Sequence, residues 1–325
     1  MPTKNDVLRL LEENKGEPIS GQKLAELLGV SRQAIWKAVE SLKEDGHIIN
    51  SSINKGYQLD SNSDLISAEG IRIFLSKENR DRPIIVFKTI DSTNSEAKRL
   101  ALNGASHGTV IISEEQTNGR GRKGKSFFSP PKTGIYASFI LKPKVNIDDA
   151  QMVTIYAAVS VCNVIENLTN LKPKIKWVND IYLNGKKICG ILTEAISDFE
   201  SGTVDFIIVG IGVNFSTKQE DFPKEIQDIA GSLPKTNISR NQFIAALIDE
   251  MLKNANCIFQ NNLIDLYKEH SLMLGKEIIY QKNLQTLYGK VLDINERGNL
   301  VVLINNSKID ILHSGEVEIK TKRII

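Results

Sequence analysis

The chain has 325 residues, 41% of them hydrophobic and 25% charged, as in an ordinary globular protein with room for two or three domains. Its formal net charge of +2 excludes a global field that draws in nucleic acid or membrane, so any anionic partner is met by a local patch. Cys162, Cys189 and Cys257 form no CxxC pair or ligand cluster, which excludes a zinc framework and points to reduced thiols in a cytoplasmic protein.

Residues 4–14 carry Val7, Leu8, Leu10 and Leu11 between charges and predict an amphipathic helix. The start lacks the apolar run of a signal peptide. Ser20 then caps a short helix with Leu24, Leu27 and Leu28, and Gly29 ends it. Ser31 caps a second helix whose stripe is Ala34, Ile35, Ala38, Val39 and Leu42. Two short helices about a glycine turn are the helix-turn-helix pattern. Arg32, Gln33, Trp36 and Lys37 lie off the stripe, where Ser31, Arg32, Gln33 and Lys37 can reach phosphates and base edges. After Gly46, two strands about a turn at Asn54, Lys55 and Gly56 form a wing that offers Lys55 to DNA. The alternative for this module is a packing domain with a solvated charged face. The polar stretch at 60–64, DSNSD, marks a linker.

Beyond it, PIIVFKTI (83–90), TVIISEEQT (109–117) and GIYASFIL (134–141) predict strands. AQMVTIYAAVSVCNVIENL (150–168) predicts a long buried helix. The segment 174–196 predicts two strands about an Asn184, Gly185 turn, and VDFIIVGIGVNF (204–215) a further strand. The last is the most apolar stretch, too short and Gly-broken to span a bilayer. Hairpins outnumber βαβ crossovers, so the domain is α+β on a mostly antiparallel sheet. Two glycines inside GIGVNF (210–215) imply either a bulge or a group pressing on the backbone.

GRGRKGKSFFSP (119–130) sets four cations among three glycines and then two phenylalanines. It is neither a P-loop nor a Rossmann fingerprint. Either it is solvated, or its free backbone amides, Arg120 and Arg122 await an anion that Phe127 and Phe128 cover. From about residue 271, alternating apolar residues with a turn at 296–299 (ERGN) predict a small β-barrel or a dimerisation module.

DSTN (91–94), GRGRKGKSFFSP, KWVND (176–180), GKKICGILTE (185–194) and GIGVNF, set behind a winged helix, are highly specific together. The chain resembles, nearly end to end, the bifunctional biotin protein ligases that also repress biotin genes. The resemblance implies three domains: a winged helix-turn-helix at 1–62, a biotin/lipoate-ligase-like α+β domain at 66–270 and an SH3-like barrel at 271–325. It implies that ATP and Mg²⁺ convert biotin to biotinyl-5′-AMP, and that biotin passes to a lysine of carrier domains of acetyl-CoA carboxylase and other carboxylases. It further implies operator DNA as partner, a homodimer when the adenylate is bound, and no membrane partner. Ser92, Thr93, Asn94, Gln116, Arg120, Gly121, Arg122 and Lys187 are then implied to bind biotin. Lys125, Phe127, Lys176, Asn179, Asp180 and Asn214 serve the nucleotide, with Asp180 near the metal. Arg122, Lys176 and Lys187 are the implied catalytic residues, and Lys186 is the solvated neighbour. Val178 stands where the family has proline, and Phe127 where it commonly has tryptophan. A lipoate-type ligase and a ligand-sensing repressor without catalysis are the alternatives.

Overall fold

The computed structural model describes residues 2–52, 55–142, 150–197, 204–253, 262–282, 285–305, 307–313, 315 and 317–320; Asn54 and Cys257 lie outside them. The chain opens with α1 (Pro2–Glu13), α2 (Gly21–Leu28) and α3 (Arg32–Asp45). Ser20 and Ser31 cap α2 and α3 by accepting the Lys23 and Ala34 amides, and Gly29 stops α2 in the left-handed region at φ 63°. Ile35, Ala38, Val39 and Leu42 pack with Val7, Leu11 and Leu24 in a core of their own. Strands β1 (Ile49–Ser52) and β2 (Gly56–Leu59) pair antiparallel as the wing.

The polar stretch at 60–64 is anchored at both ends, and at its start the Asp60 amide donates to Ile48 O at 2.8 Å. Ser63 Oγ accepts the Ile48 amide at 3.2 Å. Asp64 meets Arg240, whose Nε lies 3.0 Å from its Oδ2 and whose Nη1 lies 2.7 Å from Glu114 Oε2. Arg240 is 2% exposed, so this triad is a buried polar joint that pins the end of the stretch following the winged helix to the central unit.

The central unit runs α4 (Ala68–Arg72), β3 (Ile84–Phe87), α5 (Thr93–Leu102), β4 (Thr109–Ser113), β5 (Gly134–Leu141) and α6 (Ala150–Thr169). It continues with β6 (Lys174–Lys176), β7 (Asp180–Leu183), β8 (Lys186–Ser197), β9 (Val204–Asn214), α7 (Arg240–Leu252) and α8 (Leu263–His270). Its strands form one sheet in the order β3-β4-β5-β9-β8-β7-β6, antiparallel except for β3 with β4. The segment 174–196 supplies three strands of it, not two, because the chain reverses at Trp177–Asn179 before the Asn184, Gly185 turn. Alternate residues divide between the two faces. Val110, Ile112, Phe139, Ile207 and Val209 meet α6 and α7, while Ile111, Ile140 and Ile208 meet α5. Helix α6 has the length and hydropathy of a membrane span, yet every residue from Val153 to Cys162 is buried beneath the sheet, which accounts for its apolarity.

Strands β10 (Glu277–Lys282), β11 (Gln285–Ile294), β12 (Leu300–Ile304), β13 (Lys308–Leu312) and β14 (Val317–Ile319) form an antiparallel sheet in the order β13-β12-β11-β10-β14. Its inner residues Ile278, Val291, Leu300 and Val302 join the central core. The β11–β12 turn docks on α6: Gln151 Nε2 donates to Gly298 O at 2.9 Å. A Cβ on Gly298 would lie 2.0 Å from Ile155 Cδ1.

Candidate active site

The site opens on the α5 face of the sheet, where large apolar residues give way to small ones. Register places Tyr136 opposite Gly212 and Gly212 opposite Gly190, with Ser138, Gly210 and Leu192 in the next row. Ser92 caps α5, so Thr93 and Asn94 in its first turn lie over this floor. Asn94 Oδ1 accepts from Ser138 Oγ at 2.6 Å, and its Nδ2 donates to Glu194 at 2.7 Å. A Cβ at Gly210 would stand 2.1 Å from that Oδ1, so a side chain there would evict Asn94. Gln116 Oε1 accepts the Thr93 amide at 2.9 Å, and its Nε2 donates to Ser129 at 2.9 Å. Ser92, Thr93 and Asn94 are buried and neutral, and Gln116 joins them in a hydrogen-bonded floor.

The basic loop lies closed over that floor. It is tied to itself by the Gly121 amide to Lys125 O at 2.6 Å and by the Phe127 amide to Gly119 O at 2.9 Å. Three contacts clip it to the sheet. Arg122 Nη1 donates to Asn179 Oδ1 at 3.1 Å, and Arg120 Nη2 to Glu194 at 3.2 Å. The Phe127 ring sits on the glycines, where a Cβ at Gly212 would lie 2.5 Å from it, and meets Tyr136 edge-on at 6.4 Å. Lys125 is exposed at the rim.

The reversal between β6 and β7 is held at three points. Trp177 Nε1 donates to Gly298 O at 2.8 Å, buried Tyr267 donates to Val178 O at 3.0 Å, and Asn179 Nδ2 donates to Ile191 O at 2.8 Å. The peptide between Trp177 and Val178 is cis. Lys176 Nζ lies 5.9 Å over the Tyr182 ring, and Asp180 Oδ1 pairs with Lys187 Nζ at 2.7 Å. Asn214 Nδ2 donates to Gly231 O at 3.0 Å. Lys186, expected to be solvated, instead donates to the carbonyls of Gln227 at 3.1 Å and Asp228 at 2.6 Å.

A cavity of about 820 Å³ unites these parts. Every central-domain residue expected to bind biotin or the nucleotide lines it: Ser92, Thr93, Asn94, Gln116, Arg120, Gly121, Arg122, Lys125, Phe127, Lys176, Asn179, Asp180, Lys187 and Asn214. Arg120, Arg122, Lys123, Lys125, Lys176 and Lys187 face only Asp180 and Glu318 among the lining carboxylates, which favours an anionic occupant. The sequence reading missed two walls. One is apolar: Phe222, Ile226, Ile229 and Ala230, with Phe222 6.0 Å from Phe128. The other is Gly315, Val317, Glu318 and Ile319 from the C-terminal sheet. Neither carries a polar motif that marks it in advance. The described residues hold no cluster of three potential metal ligands. Asp180 is the carboxylate that could meet Mg²⁺ arriving on phosphates, an ion that keeps few protein ligands, although its Oδ1 pairs with Lys187 and the Asn179 oxygen accepts from Arg122. Away from the cavity, Ser31, Arg32, Gln33, Trp36 and Lys37 of α3 and Lys55 of the wing are all exposed.

Three family models match the chain: an HTH domain over residues 3–58, the biotin/lipoate A/B protein ligase family over 86–214, and the biotin protein ligase C terminal domain over 273–320. The bifunctional ligase/repressor BirA of Bacillus subtilis is 33% identical over 322 residues, which are 97% of this chain and 98% of that one. The protein of the same name from Escherichia coli is 30% identical over 237 residues, 73% and 72% of the two chains. A solved biotin protein ligase from Aquifex aeolicus in complex with biotin and ATP superimposes with a TM-score of 0.61 at 28% identity, covering 73% of this chain and 98% of that one.

Proposed function

The chain belongs to the bifunctional biotin ligase/repressor family, and from that premise we propose how its own residues divide the work among domains at 1–62, 66–270 and 271–325. The enzyme joins biotin to AMP at the expense of ATP, releasing pyrophosphate, and then transfers biotin to a lysine. The observation that carries this reading is the make-up of the cavity: a neutral hydrogen-bonded floor together with six cationic side chains, of which Arg120 borders the floor through Glu194. A neutral bicyclic urea with a carboxylate tail and a polyphosphate fit those two kinds of lining.

In the first half-reaction a carboxylate oxygen of biotin forms a bond to the α-phosphorus, and pyrophosphate leaves with the electron pair. Two unit charges about 4 Å apart repel by roughly 4 kcal/mol at an effective dielectric of about 20. Arg122, Lys176 and Lys187 offset that repulsion and stabilise the charge that builds on the phosphoryl oxygens. Asp180 would hold the Mg²⁺ that ATP brings, and that ion would supply further charge neutralisation. The floor of Ser92, Thr93, Asn94 and Gln116 orients the ring of biotin, with Arg120 and Gly121 along the tail. Lys125, Phe127 and Asn214 border the nucleotide. In the second half-reaction the carrier lysine's neutral amine attacks the acyl carbon, AMP leaves, and the amine proton passes to solvent. The closed loop keeps water from the mixed anhydride in between.

The exposed face of α3 and Lys55 of the wing suit operator DNA. A helix-turn-helix reads two half-sites as a dimer, so the adenylate-bound chain is proposed to pair on a two-fold operator. Carboxylase carrier domains are the proposed lysine donors, and the proposed need for ATP and DNA suits a cytoplasmic location. The test is incubation with biotin, Mg-ATP and a carrier domain. Biotin-dependent pyrophosphate release and a mass gain on one carrier lysine are expected. Absence of both with folded protein overturns the reading.

A further inference from the structure

We propose that Lys186 is a positioning residue that holds the apolar wall of the cavity, resting on the reading of that cavity as the ATP site. Consecutive lysines on β8 act in different directions. Lys187 turns its ammonium into the cavity toward Asp180, at 2.7 Å. Lys186 turns away and donates to Gln227 O at 3.1 Å and Asp228 O at 2.6 Å. These carbonyls end a run of tight turns, in which the Gln227 amide bonds Pro223 O at 3.0 Å and the Ala230 amide bonds Ile226 O at 2.7 Å. Carbonyls at the end of such turns lack backbone amide partners further on; the Gln219 side-chain amide also donates to Gln227 O, and the Lys186 ammonium adds the charged donor that spans Gln227 and Asp228.

The same segment is stitched to β8 by the Lys187 amide to Ile229 O at 2.7 Å and the Gly231 amide to Lys187 O at 2.9 Å. Packing is close there: a Cβ at Gly231 would lie 2.6 Å from Lys186 Cβ. The tether therefore fixes the height of Phe222, Ile226, Ile229 and Ala230 above the cavity, and through Phe222 it also supports Phe128 of the basic loop. The floor of Ser92, Thr93, Asn94 and Gln116 has no hydrogen bond with this wall among the described residues, so the tether separates nucleotide binding from biotin binding.

Lys186→Met keeps the aliphatic stem and removes the donors, while Lys186→Arg keeps charge and donors. In the full-length chain, Lys186→Met is expected to raise KM for ATP by about tenfold in biotin-dependent pyrophosphate release. The change in kcat and in the Kd for biotin should stay within about twofold, and Lys186→Arg should recover most of the loss. Amide exchange of the ligand-free proteins is the second measurement: residues 219–231 should lose protection in Lys186→Met alone. An unchanged KM for ATP, an equal loss of biotin affinity, or unaltered exchange over 219–231 overturns the tether. A wild-type chain that releases no pyrophosphate defeats the ligase reading instead, and the exchange result still decides whether Lys186 holds the wall.

Discussion

Lys187 and Gly212 mark the two demands on single residues at this site. In the proposed mechanism Lys187 presents a charge to developing phosphoryl and acyl oxygens, and the 2.7 Å pair with Asp180 holds its ammonium in the cavity. Lys187→Met removes that charge at the reacting centre. The expected result is a fall on the order of 10²- to 10³-fold in the rate of pyrophosphate release with a smaller change in biotin affinity, read by stopped-flow and calorimetry. Gly212 must present nothing at all. A Cβ there would stand 2.5 Å from the outer edge of the Phe127 ring, the free end of a side chain that can swing away. Gly212→Val is expected to leave the fold intact but displace the ring, so that adenylate escapes on the order of tenfold faster in a single-turnover chromatographic assay. Unchanged retention would show that the ring does not seal the site. Glycine inside a strand signals close approach in the sequence alone, but the approaching atoms of Asn94 and Phe127 come from elements 116 and 85 residues away (210 − 94 and 212 − 127).

At the scale of elements, local rules and distant partners separate cleanly. The Ser20, Gly29 and Ser31 boundaries were legible because capping is settled within four residues. The Asn184, Gly185 turn was legible for the same reason, as both residues adopt positive φ. Three strands were read as two because KWVND carries no glycine to announce its reversal; tertiary bonds from Tyr267 and Gly298 hold it. Lys186 was read as solvated because its acceptors lie about 40 residues on, in a segment with no regular period. The winged helix also carries a buried titratable group, His47, 6% exposed, whose Nδ1 has no hydrogen-bond partner. Burial lowers its pKa from 6.5 to about 4. The folded form thus favours neutral imidazole: stability is full above pH 6.5 and declines as pH falls toward 4, by up to roughly 3 kcal/mol. Amide exchange of α3 followed from pH 7 to pH 4 should show this loss, and His47→Phe should flatten it.

Across the whole molecule, the Asp64, Arg240 and Glu114 triad joins what the sequence presented as separate pieces. A polar stretch before a domain looks like a spacer until its partner is known, and Arg240 lies 176 residues beyond Asp64. Arg240→Met would strand the buried Glu114 carboxylate, while the more exposed Asp64 keeps its hydration, and urea unfolding should report a loss of roughly 3 kcal/mol. Asp64→Asn keeps the shape and should cost less. Glu114 stands two residues before Gln116, so the joint that pins the polar stretch is continuous with the floor of the cavity. The Trp177 bond to Gly298 makes a similar link at the other end. The chain has just two tryptophans, and they divide between its two activities: Trp36 is 52% exposed on α3, and Trp177 is 4% exposed in the reversal beside Lys176. Their emission colours therefore differ, red for the wet indole and blue for the dry one. The protein thus carries its own pair of optical reporters: dimming of the red emission on addition of operator DNA would place Trp36 at that contact, and a red shift of the blue emission would report loss of the Trp177 bond to Gly298.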